Sequence, residues 1–526
     1  MAKKYADIPG TATHQRGATL KIRLVIASVL LTFVTAGAGA QDVRDVLEAV
    51  AEHIGADDLR TLEFSATSGW FGAPGGSHSP FDDWPRTEVT YYQRQIDFEA
   101  GYMREILTRE QGDYPRVGSS RGLPAGGTHT LDVAVNGDIA WTLEGGGAGP
   151  LDREGYMDGV SIAEMRQLEI LLTPHGFVKA ALAPGANPTM IKSFPRGQAM
   201  TYVEIMALGK YRLTADINDQ NEIIHIQTRM ANPMFGDMLY EYRYGNYEQF
   251  GSVKYPTYVH HHQGDELLNR GHNVLDVAVS SARANGRIEV LTPPASAKVL
   301  PIDVATIESE EIADGVWYIG GIRHGSVAVE FEDFVAVIEA PLNEKRAIAV
   351  IEEVYRLAPG KPIGYLVNTH HHFDHAGGVR TFAAEGATLV THQDNYEYFR
   401  DMVLSSAPRT LEPDRYSVFY PDRLRNAIIE RVNQKFVISD GTRTLDVYSV
   451  LPFPHVTAMV IAYLPEQGIV VNADMYRPPD RGSAMPQANS SNRALLQTIE
   501  DNELDVDRHV GLHGGIGSHA DFVRIF

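Results

Sequence analysis

Cysteine is absent from this chain of 526 residues, and its absence removes several kinds of chemistry at once. Disulfides, thiolate metal ligands and a cysteine nucleophile are all excluded, whatever the redox state of the compartment. Any site for a transition metal must therefore be built from histidine and carboxylate side chains.

Basic residues are scarce relative to acidic ones, since 46 Lys and Arg stand against 67 Asp and Glu and the formal net charge is −21. An acidic surface repels polyanions, so nucleic acid is not expected as a partner. The hydrophobic fraction of 44% is that of a globular protein. The chain is too long for one hydrophobic core, which predicts two or three domains.

Long apolar runs are also missing, apart from one near the start. Lys21 and Arg23 precede an apolar stretch at 24–34, and small residues follow at 36–40. This order predicts a signal peptide over residues 1–40, cleaved after Ala40, and a periplasmic or secreted protein. The alternative is a membrane anchor, which needs about 20 apolar residues, roughly twice this stretch. No stable membrane span is expected after cleavage.

Residues 41–300 are predicted to form a mainly antiparallel β domain. It opens with an amphipathic helix that ends at Gly55, and from there apolar and polar residues mostly alternate. One helical insertion is expected from Ile162 to Leu172. The triplet His260 to His262 is expected on the solvated face of a strand.

A helix followed by a long antiparallel meander resembles the half-barrel of periplasmic lipoprotein carriers. That resemblance implies an apolar concave pocket and a hydrophobic or acylated ligand. The alternative is an antiparallel sheet of another topology, with an unknown role. Pro293 and Pro294 then indicate a linker, and strands alternating with helices predict an α/β domain over residues 301–526.

The densest group of potential metal ligands follows a short apolar strand at 364–367. Within six residues the chain supplies His370, His372, Asp374 and His375, and two glycines come shortly after. A single histidine of this kind is more often a surface residue. Imidazoles and carboxylates at this density are costly to bury without a cation, so the set predicts a metal site.

The pattern His-x-His-x-Asp-His followed by Gly-Gly resembles the signature of the metallo-β-lactamase superfamily, and the resemblance covers residues 301–526. It implies an αββα sandwich, which makes the whole chain an α+β protein. The remaining ligands of the family then match His455, Asp474 and His513 in order. By this resemblance one ion is held by His370, His372 and His455. The other is held by Asp374, His375 and His513, with Asp474 between the two ions.

The resemblance also implies a function, which is hydrolysis of an ester, lactone, thioester or amide bond in a small molecule by a metal-bridging hydroxide. Two zinc ions are expected, and the same ligands tolerate iron or manganese. The aspartate that Asp374 matches often also acts as a proton acceptor in this family, so the resemblance implies that role for Asp374. Tyr476, two residues beyond Asp474, is a candidate electrophile toward a substrate carbonyl by its position alone.

Two departures from the family pattern narrow this interpretation. The position of Asp474 usually carries cysteine or serine in β-lactamases, whereas aspartate resembles the thioester hydrolases, lactonases and phosphodiesterases. A general hydrolase is therefore favoured over a β-lactamase. Glu339, Ala340 and Pro341 stand where the family commonly has aspartate and glycine, so the support of the ligands is altered there.

Two further alternatives remain at this level. Some superfamily members are mononuclear iron oxygenases of sulfur compounds, with a similar ligand set. A lipid-binding protein with a vestigial metal domain is the other. The sequence makes no prediction of the oligomeric state.

Overall fold

Three β-sheets organise the computed structural model. The structure describes residues 42–72, 76–118, 127–143, 149–150, 160–264, 272–298, 303–322, 324–405, 407–419, 427–479 and 485–526. The predicted signal peptide and the predicted boundary between residues 300 and 301 lie outside these ranges. Residues 42–526 form one compact unit.

The largest sheet has thirteen strands, and all of its neighbouring strands run antiparallel. In chain order these strands are β1 (Thr61–Gly72), β2 (Arg86–Asp97), β3 (Tyr102–Glu110), β4 (His129–Asn136), β5 (Ile139–Thr142), β6 (Gly149–Pro150), β7 (Thr189–Ser193), β8 (Met200–Ala207), β9 (Tyr211–Asn218), β10 (Ile223–Asn232), β11 (Gly236–Phe250), β12 (Val253–Gln263) and β13 (His272–Ala284). In space, β1 lies beside β13, so the sheet runs from β6 through β1 to β13 and on to β7. The predicted antiparallel region is confirmed.

Three helices pack on this sheet: α1 (Val43–Ile54), α2 (Ile162–Leu171) and α3 (Pro174–Leu182). The first begins at the Asp42 cap and ends at Gly55, whose φ of 74° is the left-handed conformation that glycine adopts without strain. The single predicted insertion is in fact two helices. Thr173 caps a new helix and Pro174 occupies its first turn, where proline is tolerated.

Buried charges join α2 to the sheet. Arg94 on β2 pairs with Glu105 on β3, and from α2 Arg166 lies 2.8 Å from Glu105 and 2.9 Å from Glu169. Together with the hydrophobic cluster beneath α1, α2 and α3, these side chains cover the sheet face in the described residues. The pocket expected from the half-barrel resemblance is therefore not supported.

The histidine triplet on β12 is buried, so the predicted solvated face is wrong. His261 is 4% exposed, and its ring stacks on Tyr242 with centroids 4.4 Å apart. His260 and His262 are also buried. Tyr240 and Tyr242 of β11 cover His261, whereas His260 stacks on Tyr258 and His262 lies beside Glu241. An alternating pattern alone does not reveal such neighbours.

The other two sheets belong to the second half of the chain. The seven-stranded sheet contains β14 (Ile307–Ala313), β15 (Val316–Gly321), β16 (Ser326–Glu330), β17 (Val335–Ile338), β18 (Ile363–Val367), β19 (Thr388–His392) and β20 (Ile429–Val432). The six-stranded sheet contains β21 (Lys435–Ser439), β22 (Thr444–Val450), β23 (Met459–Leu464), β24 (Ile469–Asn472), β25 (Arg508–Gly511) and β26 (Ile516–Ser518). Strands β17 to β20 run parallel, as do β24 and β25.

Helices cover the outer faces of these two sheets. They are α4 (Glu344–Leu357), α5 (Phe373–Ala376), α6 (Val379–Glu385), α7 (Tyr396–Tyr398), α8 (Arg415–Val418), α9 (Ser490–Asp501) and α10 (His519–Val523). One hydrophobic cluster lies between the two sheets, a second lies under α4 to α8, and a third lies under α9 and α10. The layers are therefore helix, sheet, sheet and helix, and the predicted αββα sandwich and α+β class are confirmed.

The sequence explains these layers directly. All six residues of β23 are buried, because a strand covered on both faces is apolar throughout. In α4 the buried residues Ala347, Val350, Ile351 and Val354 recur at helical spacing, so only one face of this helix packs on the sheet. Within the described residues, no helix has the length and apolar character needed to cross a membrane.

Candidate metal centre

The candidate ligands lie in loops at one edge of the two facing sheets. The run from His370 to His375 follows β18, and its last residues form the short helix α5. His455 lies between β22 and β23, Asp474 follows β24, and His513 follows β25. All seven predicted ligands are thus brought to one place by the ends of neighbouring strands.

Two glycines allow α5 to pack closely. A side chain on Gly377 would place its Cβ 1.7 Å from the carbonyl oxygen of Leu342, and one on Gly378 would lie 2.8 Å from the Cβ of Ala347. Only glycine fits such contacts. The Gly-Gly pair therefore fixes the turn that carries Asp374 and His375.

The first ligand group consists of His370, His372, His455 and Asp474. One donor atom from each of these residues lies within 4.8 Å of all the others. Nε2 of His370 and Nδ1 of His372 are only 3.0 Å apart. Such convergence of nitrogens is the arrangement that a shared cation with tetrahedral coordination requires.

The second ligand group consists of His324, Asp374, His375 and His513, again with donor atoms within 4.8 Å of one another. Nε2 of His375 lies 3.0 Å from Nε2 of His513. Nε2 of His324 lies 3.2 Å from a carboxylate oxygen of Asp374. The structure thus adds a histidine that the sequence analysis did not identify.

Asp474 lies between the two groups. One of its oxygens is 3.2 Å from Nε2 of His370, 3.2 Å from Nε2 of His455 and 2.9 Å from Nε2 of His375. The other oxygen is 2.7 Å from Nε2 of His513. Its φ of 56° is unusual for a residue other than glycine, and such strained conformations cluster at functional sites. This carboxylate therefore has the position of a bridge.

The charge balance of the centre fits bound cations. Asp374, Asp474 and Glu339 supply three carboxylates, and Glu339 is fully buried. In the described part of the chain, the ion-pair partners found for these three residues are histidines. Burying carboxylates together is costly unless positive charge compensates them, and divalent ions would supply it.

The electrostatic environment shifts the pKa values of the ligand histidines in opposite directions. Burial lowers the pKa of His372 to about 3, and it holds the pKa of His370 well below its usual value. Burial acts in the same direction on His375, but Asp474 and Asp374 outweigh it and raise the pKa of His375. His370 and His372 are thus kept neutral, which is the form that binds a metal ion.

Glu339 supports ligands of both groups. Its carboxylate accepts a hydrogen bond from Nδ1 of His375 at 3.0 Å and from Oγ1 of Thr369 at 2.6 Å. The same Oγ1 lies 3.0 Å from Nδ1 of His370, so it accepts the ring proton. Both rings therefore carry a proton on Nδ1 and turn Nε2 toward the centre. Glu339, where the sequence departs from the family pattern, therefore supplies a carboxylate that orients His375 directly and His370 through Thr369.

Other predicted residues lie outside the two groups. Nε2 of His371 donates to the carbonyl oxygen of Ser77 at 3.0 Å, so this ring lies beside the ligands without joining either group. Tyr476 is 3% exposed, and its ring packs against Phe522 and His509 in the cluster beneath α9 and α10. This packing gives no support to a role in substrate binding, and the Tyr476→Phe variant would test it.

His324 lies in the turn between β15 and β16 and is 5% exposed. Its ring centroid is 4.5 Å from that of His513. In the sequence it is an isolated histidine before Gly325, far from the dense run. Its only signal in the sequence is a position between two short apolar runs, and many surface histidines share that feature.

Parts of this chain are similar to known proteins. Residues 319–475 match the model of the metallo-beta-lactamase superfamily. A linear primary-alkylsulfatase from a Pseudomonas species is 30% identical over 71 residues, which is 13% of this chain and only 10% of that enzyme. Among solved structures, a metallo-beta-lactamase from Pontibacter korlensis aligns with a TM-score of 0.31 and 15% identity, covering 41% of this chain and 96% of the other. The mono-zinc form of the metallo-beta-lactamase FIM-1 from Pseudomonas aeruginosa aligns with a TM-score of 0.30 and 20% identity. This alignment covers 41% of this chain and 92% of the other.

The matched residues carry most of the two ligand groups, including the run from His370 to His375, His455 and Asp474. Residues 319–475 therefore belong to the metallo-beta-lactamase superfamily.

Proposed function

We propose that this protein is a hydrolase that uses two divalent metal ions, zinc in the first instance. The observation that carries the proposal is the position of Asp474, whose two carboxylate oxygens reach histidines of both ligand groups. A carboxylate shared in this way suits a pair of ions better than a single ion.

The chain supplies enough ligands for both ions. His370, His372 and His455 would hold one, and Asp374, His375, His513 and His324 would hold the other, with Asp474 shared. A pair of divalent ions lowers the pKa of water toward neutrality and stabilises negative charge on oxygen. Iron or manganese would suit the same donors.

Asp374 is the residue to which we assign proton transfer. One of its oxygens lies 3.2 Å from Nε2 of His324. That oxygen stays 3.8 Å from Nε2 of His375 and 3.9 Å from Nε2 of His513, beyond hydrogen-bond distance. The carboxylate therefore lies beside both ligand residues without a hydrogen bond to either of them, which suits it to accept a proton from a water at the centre.

The proposed substrate is a small molecule with an ester, lactone, thioester or amide bond. A hydrophobic or acylated substrate remains an expectation from the sequence alone. The short similarity to an alkylsulfatase adds alkyl sulfate esters to the candidates. Export to the periplasm or beyond is part of the proposal, and it rests on the pattern of residues 1–40.

The test is a substrate panel with the metal-loaded protein. The panel holds one representative each of esters, lactones, thioesters, amides, alkyl sulfates, phosphodiesters and β-lactams. We expect hydrolysis of one class to dominate, to stop on removal of the metal by a chelator, and to be lost in His370→Ala and His372→Ala. Activity that survives metal removal would refute the proposal.

The panel is run with two controls. His392→Gln changes a buried histidine that belongs to neither ligand group and should keep most of the activity. Oxygen uptake with sulfur compounds is measured in parallel. Uptake together with iron in the protein would favour the mononuclear oxygenase, and an inactive protein that binds lipid would favour the vestigial domain.

A further inference from the structure

Residues 76–84, which connect β1 to β2, leave the large sheet and lie against the metal centre. Ser77 is 5% exposed. Its backbone carbonyl oxygen accepts hydrogen bonds from Nε2 of His372 at 2.9 Å and from Nε2 of His371 at 3.0 Å. The first half of the chain thus contacts a predicted metal ligand directly.

The bond to Ser77 determines the tautomer of His372. A carbonyl oxygen only accepts, so Nε2 of His372 must carry the proton. Nδ1 of His372 is then unprotonated, and it is the atom that lies 3.0 Å from Nε2 of His370. The lone pair of His372 therefore faces the first ligand group because of a contact from the large sheet.

The loop that carries His455 is held by the same connection. The backbone carbonyl oxygen of His78 accepts from the N–H of Thr457 at 2.8 Å, and Nε2 of His78 donates to the carbonyl oxygen of Phe453 at 3.0 Å. These two bonds fall on both sides of His455. A third bond, from the N–H of Gly118 to the carbonyl oxygen of Pro454 at 2.7 Å, joins the loop to another connection of the large sheet.

Aromatic packing fixes the far end of the connection. The ring of Trp84 meets that of Phe373 edge to face at 6.3 Å, and Phe81 meets Tyr398 in the same way at 6.4 Å. Trp84 also stacks on His272 of β13, with centroids 4.6 Å apart. Trp84, Phe373 and Tyr398 belong to a hydrophobic cluster that both halves of the chain share, and Phe81 packs against it. The far end of the connection is therefore anchored in the interior.

We propose that residues 76–84 are a positioning element of the metal centre, in which Ser77 orients His372 and His78 fixes the loop of His455. The large sheet thereby contributes to the site itself and is more than a separate binding module. This inference rests on the proposed binding of metal ions by the first ligand group.

The test compares three variants of the full chain. His78→Ala removes the side-chain bond to Phe453, and His78→Gln keeps a donor there. Ser77→Ala removes the hydroxyl, which lies 3.2 Å from Nε2 of His371, and keeps the carbonyl oxygen. Metal affinity is measured by competition with a chromogenic chelator, and the ligand geometry is followed through the visible absorption of the cobalt-loaded proteins.

We expect His78→Ala to weaken binding at the first ligand group about tenfold or more and to change its cobalt spectrum, as the loss of a supporting partner does. His78→Gln should restore affinity and spectrum, and Ser77→Ala should resemble the wild type. Circular dichroism shows which variants remain folded. If folded His78→Ala binds metal like the wild type, the inference is wrong while the proposed function stands. If the wild type binds no metal, the proposed function fails, and this inference fails with it.

Discussion

At the scale of single residues, Glu339 supports the metal centre without belonging to either ligand group. It is fully buried and has a φ of 77°, a conformation that costs roughly 1–2 kcal/mol for a residue with a side chain. The fold tolerates this strain at a carboxylate that orients His375 directly and His370 through Thr369. The strain is therefore tied to the support of the metal centre.

Glu339→Gln tests that role. The amide retains the size of the side chain, but one Glu339 oxygen accepts from His375 and Thr369 and the other accepts from the side-chain amide of Asn368. The NH2 group of glutamine would face donors in either orientation, so the ring orientations should loosen. We expect the metal affinity to fall about 10-fold to 100-fold. Chelator competition measures it, with Glu385→Gln as a control at a carboxylate that belongs to neither ligand group and pairs with Arg415. An unchanged affinity would show that the carboxylate is dispensable.

His324 is the residue that distinguishes the second ligand group from the predicted one. In His324→Ala the affinity for the second ion should fall about tenfold or more, because the second ligand group loses a donor. The first ion should stay bound. Metal analysis after dialysis at limiting zinc would show a loss from two equivalents toward one. Retention of both equivalents would mean that His324 only hydrogen-bonds Asp374.

The ligands show what a sequence can and cannot reveal at this scale. The run from His370 to His375 is dense enough to predict a site, and the family order then leads to His455, Asp474 and His513. His324 and His78 lack such neighbours in the sequence. Their roles depend on the packing of a turn and of a connection between strands against the centre, which only the folded chain displays.

Among the elements, strands β9, β10 and β11 are joined by charges on one face. His225 on β10 lies 3.2 Å from Asp216 on β9 and 2.7 Å from Glu241 on β11. Burial lowers the pKa of His225, but the hydrogen bonds and charges of the two carboxylates outweigh burial and raise the pKa to about 9. The protonated ring therefore stabilises the pairing of three strands.

The raised pKa makes this stabilisation depend on pH. It is fully present below the unfolded value near 6.5 and is lost as the pH rises through about 9. At pH 6 the free energy of unfolding of His225→Gln should be lower than that of the wild type by on the order of 3 kcal/mol. The difference should shrink strongly by pH 9.5.

Urea unfolding at the two pH values measures this difference. His129→Gln, at an exposed position on β4, serves as the control and should show no such dependence on pH. A deficit of His225→Gln that is equal at both pH values would contradict the electrostatic explanation.

Elements followed the sequence where one local pattern decides the structure. The helix ending at Gly55 and α4 have apolar residues at helical spacing, and β23 is an unbroken apolar run. The sequence predicts that the large sheet is antiparallel, but it does not predict the helices and buried charges that cover its face. Arg166 and Glu169 of α2 are charged, yet their ion pairs with Glu105 and Arg94 place them against the sheet.

At the scale of the whole molecule, the two halves of residues 42–526 are not independent. The shared cluster includes Trp84 and Phe235 from the large sheet and Phe373 and Tyr398 from the sandwich. Asp237 also accepts from the backbone N–H groups of Thr410 and Leu411. The sequence predicts a linker between two domains. It does not reveal these contacts between them, because long-range packing leaves no periodic pattern.

The central claim is that this chain holds two metal ions on either side of Asp474. The most direct test is anomalous diffraction from crystals of the zinc-loaded protein. We predict two peaks about 3.5–4 Å apart, one in each ligand group, with Asp474 between them. A single peak in the first ligand group, or none in either group, would contradict the claim.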